Sequence, residues 1–159
     1  MHTATKSSKI SITLEKDTQS ISQKISNYLS KGDIVFLYGE IGVGKTTFIR
    51  YLINYFQAKF NISETEIPSP TFNIINEYKV NDLIIYHYDL YRIKDELELK
   101  NLGLFENRKE SIILIEWPEI IKEKPKNIIE LFFNYEENLN SRSLVVSGNF
   151  KEKFFDEFK

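Results

Sequence analysis

Gly39-Glu40-Ile41-Gly42-Val43-Gly44-Lys45-Thr46 follows the spacing G-x-x-x-x-G-K-[ST] in full. Each residue type has a task in holding a phosphate chain. Gly39, Gly42 and Gly44 let the backbone fold tightly with its N–H groups turned inward. Lys45 brings a point charge to the β and γ phosphates, and Thr46 offers a hydroxyl to Mg²⁺. The start of the following helix adds the positive end of its dipole. Chance alone produces such a match in roughly one chain in 200 of this length, judged from average residue usage. The motif also follows an apolar run and opens a helix pattern, as the mechanism requires. The sequence therefore predicts binding of a nucleoside triphosphate. The guanine-reading Asn-Lys-x-Asp motif occurs nowhere downstream, which favours ATP.

A second acid is expected at the end of a neighbouring apolar strand, where it can hold Mg²⁺ directly or through water. Two runs fit: Ile112 to Ile115, ending in Glu116, and Leu83 to Tyr88, ending in Asp89. We assign Glu116 to Mg²⁺ and Asp89 to the attacking water, an assignment that the sequence leaves open to exchange. His87 shares a strand face with Asp89 and reads as a packed or hydrogen-bonded histidine. Thr71, in Ser69-Pro70-Thr71, has two readings. It is either a loop threonine closing on Mg²⁺ and the γ phosphate, or the start of an extended segment after proline. Trp117, the single tryptophan, is a core residue or an exposed anchor for a partner.

These residues need a scaffold, and the pattern supplies one. Ile10 to Leu14 alternates as a strand, Ile21, Ile25 and Leu29 form a helix stripe capped at Asp17 or Thr18, and Gly32 stops it. Ile34 to Tyr38 reads as a strand covered on both faces, and Lys45 to Lys59 as a helix with Phe48, Leu52, Tyr55 and Phe56 inward. Phe72 to Tyr78 and Leu83 to Tyr88 suggest an antiparallel hairpin, and Lys94 to Asn101 a short helix closed by Gly103. Ile112 to Ile115, Ile128 to Phe133 and Leu144 to Val146 complete the strands, and an amphipathic helix is expected from Phe150. The sum is an α/β fold, one nucleotide-binding domain over 1–159 with its core at about 10–147 and a tail at 148–159, built on a mixed, mainly parallel sheet flanked by helices.

Composition removes other chemistries. The chain of 159 residues has no cysteine, which excludes thiolate catalysis, disulfides and cysteine-held metals, and its two histidines cannot form a multi-histidine site. A net charge of -2 offers no global positive field for nucleic acid or an anionic membrane. No apolar run approaches the ~20 residues of a spanning helix, and the polar start from Met1 to Lys9 lacks a signal-like stretch. The expected location is the cytoplasm.

Taken together, the phosphate loop through Thr46-Thr47-Phe48, then Ser69-Pro70-Thr71-Phe72, His87-Tyr88-Asp89-Leu90-Tyr91-Arg92 and Ile115-Glu116-Trp117-Pro118-Glu119 resemble, in order, the TsaE (formerly YjeE) family. The resemblance implies a P-loop ATPase of tRNA threonylcarbamoyladenosine biosynthesis that works with TsaB and TsaD. TsaD transfers the threonylcarbamoyl group to adenosine 37 of tRNAs reading codons that begin with A, and ATP hydrolysis resets the complex between turnovers. It matches Lys45 and Thr46 to the family's phosphate and Mg²⁺ residues, Glu116 to its second Mg²⁺ residue and Asp89 to its other acid. Thr18 and Arg142 fall near positions that touch the nucleotide. Tyr91, Arg92 and Trp117 flank the acids and are expected on the partner-facing surface.

Two other readings share Lys45, Thr46 and the cation site. A small-molecule kinase would need an arginine-rich lid over the transferred phosphoryl group. The four arginines, Arg50, Arg92, Arg108 and Arg142, are scattered. A nucleotide-sensing module that does not hydrolyse ATP would instead select its partner by nucleotide state.

Overall fold

The computed structural model describes residues 8–148 and 152–156. Seven strands form one sheet in the order β1-β7-β6-β2-β5-β4-β3. These are β1 (Ser8–Ser11), β2 (Ile34–Tyr38), β3 (Ile75–Val80), β4 (Leu83–Asp89), β5 (Ser111–Glu116), β6 (Ile128–Tyr135) and β7 (Arg142–Gly148). The four central strands, β6, β2, β5 and β4, run parallel, while both edges are closed by antiparallel neighbours. The mixed, mainly parallel sheet read from the sequence is the one found.

The apolar run at β5 is buried at all six positions, as a strand covered on both faces requires. On one face lie α1 (Glu15–Ser26) and α2 (Lys45–Lys59), whose Ile21, Ile25, Phe48, Ile49, Leu52 and Ile53 pack on Val35, Leu37, Leu114 and Leu131. The other face carries Phe36, Ile113 and Ile115, covered by Leu90, Ile93 and Leu104 of the β4–β5 connection, which includes α3 (Glu96–Asn101), and by Ile121 of the β5–β6 connection. A final helix, α4 (Glu152–Asp156), seats Phe154 edge-on against Tyr28. The helix expected from Phe150 thus has its start outside the described residues. No described helix is long and apolar enough to cross a membrane.

Several local expectations are corrected. The first strand is Ser8–Ser11 rather than Ile10 to Leu14, ending before the exposed Leu14. The first helix is capped at Leu14 rather than Asp17 or Thr18; Leu14 has no side-chain oxygen, and Asp17, at the third helical position, accepts the Leu14 N–H at 3.2 Å instead. Tyr55 is only half-buried, its hydroxyl donating to Asn27 Oδ1, while Ile49 and Ile53 take the inward stripe. The hairpin begins at Ile75 rather than Phe72. Ile74 adopts a left-handed φ of 67°, so the chain turns there and leaves Phe72 exposed.

The register sets the site. Leu37 at the end of β2 pairs with Glu116, and Glu116 in turn with Asp89. Three parallel strands thereby deliver the phosphate loop and both acids to one carboxyl edge of the sheet, where open α/β sheets bind ligands.

Candidate nucleotide-binding site

The loop between β2 and α2 gets its shape from backbone that side chains would block. Gly39 has φ 146°, and a Cβ there would stand 2.7 Å from the Phe133 carbonyl oxygen and 2.8 Å from Val43 Cγ1. Gly44, with φ 118°, caps α2 and has open space where a Cβ would be. The Val43 side chain is buried in the core beneath the loop, and its N–H donates to the Glu40 carbonyl. Above this cradle lies a cavity of about 300 Å³ lined by residues including Gly42, Gly44, Lys45, Thr46, Thr47, Ser69, Thr71, Asp89, Tyr91, Glu116 and Trp117. Gly39 shapes the turn from below.

Lys45 is almost fully buried, and its ammonium donates to the carbonyls of Gly39 and Glu40 while lying over the Trp117 ring, 4.0 Å from its centroid. Burial pushes the Lys45 pKa below the usual lysine value, against the opposing pull of Glu116, Glu119 and Asp89. Trp117 holds a left-handed backbone with φ 57°, an uncommon conformation for a bulky residue, and stacks at a tilt on Tyr91 with ring centres 4.9 Å apart. It is neither simple core nor free anchor, since its ring forms a wall of the cavity.

The two acids sit in different company. Glu116 Oε1 accepts from Thr46 Oγ1 at 2.9 Å and is 2.8 Å from His87 Nε2. Asp89 Oδ2 accepts from Ser69 Oγ at 3.1 Å and Thr71 Oγ1 at 3.0 Å, and its Oδ1 takes the Tyr91 N–H at 3.0 Å. Thr71 therefore lies on the loop before β3, bonded to Asp89, rather than in a strand. His87 is hydrogen-bonded, as its reading required. The contributions of Ser69 and of the Tyr91 backbone were missed. Ser69 stood two residues before Thr71, a spacing that places both hydroxyls on one side of an extended segment.

A second, smaller cavity of about 170 Å³ adjoins the first through Gly44 and Thr47 and is lined by Ile12, Thr13, Glu15, Thr18 and Arg142. Thr18 and Arg142, far apart in sequence, meet here. The Arg142 guanidinium lies 5.6 Å from the Tyr135 ring centre, and its buried Nε has no hydrogen-bond partner among the described residues.

The residues fit a hard cation and a triphosphate. Thr46 and Glu116 present oxygen donors side by side, the chemistry Mg²⁺ prefers. Among the described residues no group of three or more His, Cys, Asp or Glu comes together for a metal. A cation here would complete its shell with phosphate oxygens and water, as Mg²⁺ commonly does.

Comparison with known proteins places the chain in a family. The sequence model of TsaE, the threonylcarbamoyl adenosine biosynthesis protein, matches residues 12–144. A tRNA threonylcarbamoyladenosine biosynthesis protein TsaE from Rickettsia conorii is 37% identical over 82% of this chain and 81% of its own length. The protein of that name from Rickettsia typhi is 45% identical over 68% and 72%, and that from Aquifex aeolicus 33% over 72% and 78%. The crystal structure of YdiB from Bacillus subtilis shares the fold with a TM-score of 0.72 at 23% identity, covering 97% of this chain and 95% of that one. Motifs, site and relatives converge: the chain belongs to the TsaE family.

Proposed function

We infer that this chain serves tRNA threonylcarbamoyladenosine biosynthesis as an Mg²⁺-dependent ATPase, hydrolysing ATP in complex with TsaB and TsaD. The observation that carries the reading is the meeting, in one cavity, of Lys45 and Thr46 from the phosphate loop with Asp89 and Glu116 from two parallel strands. Family membership supports the pathway, and the relatives' names specify it.

The phosphates lie along the N–H groups of Gly42, Gly44, Lys45 and Thr46, at the N-terminus of α2. Lys45 leaves its carbonyls and the Trp117 ring to reach the β and γ oxygens. Thr46 and Glu116 would hold Mg²⁺, which would neutralise charge on the phosphoryl oxygens. Asp89, fixed by Ser69, Thr71 and the Tyr91 N–H, orients the attacking water. Thr18, Thr47 and Arg142 line the space for the nucleoside. Thr46 bonding to Glu116 rather than Asp89 supports giving the cation to Glu116.

The distribution of arginines weighs against the kinase. Arg50 pairs with Glu15 at 2.7 Å, Arg108 is spent on the carbonyls of Gly32 and Lys126, Arg142 lines the smaller cavity and Arg92 lies over Phe72. None forms a lid on the phosphate cavity. Exposed Tyr91, Phe72 and Ile41 near its mouth, with Arg92 beside them, suit a protein-facing surface.

The test is ADP release from Mg·ATP by this chain alone and with TsaB and TsaD, with Lys45→Ala as control. Turnover that rises with the partners and disappears in the variant supports the reading. Turnover only with a small hydroxylated acceptor would move it to a kinase, and ATP-dependent complex formation without turnover to a sensing module.

A further inference from the structure

His87 stands on β4 between Ile85 and Asp89 on one strand face, and its ring is fully buried. An apolar side chain would fill that position without a desolvation cost, yet an imidazole is there. One ring nitrogen, Nδ1, is buried with no hydrogen-bond partner among the described residues. The other, Nε2, meets Glu116 Oε1 at 2.8 Å, so the ring's polar contact is spent on this carboxylate. An ionised carboxylate only accepts, which makes Nε2 the donor in this pair. The same Oε1 also accepts from Thr46 Oγ1 at 2.9 Å. Among the described residues no hydrogen bond involves Glu116 Oε2.

We propose that His87 is a positioning residue for Glu116: with Thr46 it pins Oε1 from two sides, so that the carboxylate is held in one rotamer with Oε2 left for the cation. The proposal rests on the reading of Glu116 as the Mg²⁺ carboxylate. A threonine hydroxyl donates one hydrogen bond and keeps two lone pairs, so Thr46 can face a cation without releasing Oε1. His87 stands on the strand beside that of Glu116, outside the phosphate loop, so it holds Oε1 from the sheet while Thr46 holds it from the loop. Donors that orient a metal ligand in this way typically set the affinity for the ion by ten- to a hundredfold.

The experiment measures binding of a fluorescent, non-hydrolysable ATP analogue in EDTA and across a Mg²⁺ titration, with thermal melting of each variant recorded first. His87→Leu is expected to bind the analogue in EDTA as the wild type does, and to lose about ten- to a hundredfold in apparent Mg²⁺ affinity. His87→Gln, whose amide N–H reaches the position of Nε2, is expected to recover most of it. His87→Asn, whose shorter amide does not, stays with His87→Leu and replaces it if the leucine variant fails to fold. Full Mg²⁺ affinity in His87→Leu or His87→Asn overturns the proposal, as does a His87→Gln no better than they are. Glu116→Gln separates this from failure of the underlying reading. If that variant keeps its Mg²⁺ response, or the wild type has none, the cation site itself is misplaced and both fall. If Glu116→Gln loses the response and the His87 variants keep it, only the role of His87 is overturned.

Discussion

The Lys45 ammonium lies over the Trp117 ring, 4.0 Å from its centroid, while donating to the carbonyls of Gly39 and Glu40. The ammonium of this loop lysine thus rests on an aromatic face and on its own loop. As Trp117 is the single tryptophan, its emission reports on Lys45 directly. Adding Mg·ATP should change that emission as the ammonium leaves the ring for phosphate. The change should be absent in Lys45→Ala, and an equal response in that variant would dissociate the ring from the lysine.

Burial lowers the Lys45 pKa, so the folded chain releases this proton before the unfolded one, which keeps it up to about 10.5. Between the lowered folded value and 10.5 the unfolded state binds more protons, and stability from this group rises with pH. Below that window the charged lysine is a cost to the fold. Lys45→Met should therefore melt no lower than the wild type at pH 7 without nucleotide, with the difference shifting towards the wild type as pH approaches 10.5. Triphosphate affinity should fall in the same variant by about 1.5–3 kcal/mol, the worth of a charge-assisted contact. Melting curves over pH and nucleotide titration check the two halves separately.

Asp89→Asn keeps the shape of the side chain and removes its charge. The amide oxygen can still accept the Tyr91 N–H while its NH2 donates to the Ser69 or Thr71 hydroxyl, which can turn to accept, so nucleotide affinity should change little. Turnover in the partner-stimulated assay should drop on the order of 10²-fold, the low end for loss of a positioned base. Equal losses in binding and turnover would mark Asp89 as a support for the loop.

Gly39→Ala tests the cradle. Its Cβ would press on a backbone carbonyl 2.7 Å away, which cannot rotate aside. We expect a loss of about 1–3 kcal/mol in stability from overpacking, read by denaturant unfolding.

Arg92 lies over the exposed Phe72 ring, and the two line a groove of their own rather than the phosphate cavity. Arg92→Ala should leave the chain's own ATP binding intact and reduce the stimulation by TsaB and TsaD. Unchanged stimulation would remove Arg92 from the partner surface.

The sequence alone determined whatever is local. Eight contiguous residues specify the phosphate loop because its glycines, lysine and threonine act through their own backbone and the helix they open. The buried runs at β2 and β5 are legible because a strand covered on both faces tolerates no polar residue within it. The sequence also placed Glu116 and Asp89 at strand ends, but only the tertiary register puts them opposite each other. Neighbouring strands supply that pairing across 27 residues of chain, and no local pattern encodes it. The same holds for Thr18 meeting Arg142, for His87 reaching Glu116, and for Trp117 folding over Lys45. The cap at Leu14 and the late start of β3 at Ile75 escaped a local reading for the opposite reason. There, an aspartate at the third helical position and a left-handed turn at Ile74 overrode the residue preferences from which the boundaries were drawn. Chemistry was written in residue types. Which carboxylate sits beside Thr46 was decided by packing, because burial fixes the strand order and strand order fixes the neighbours.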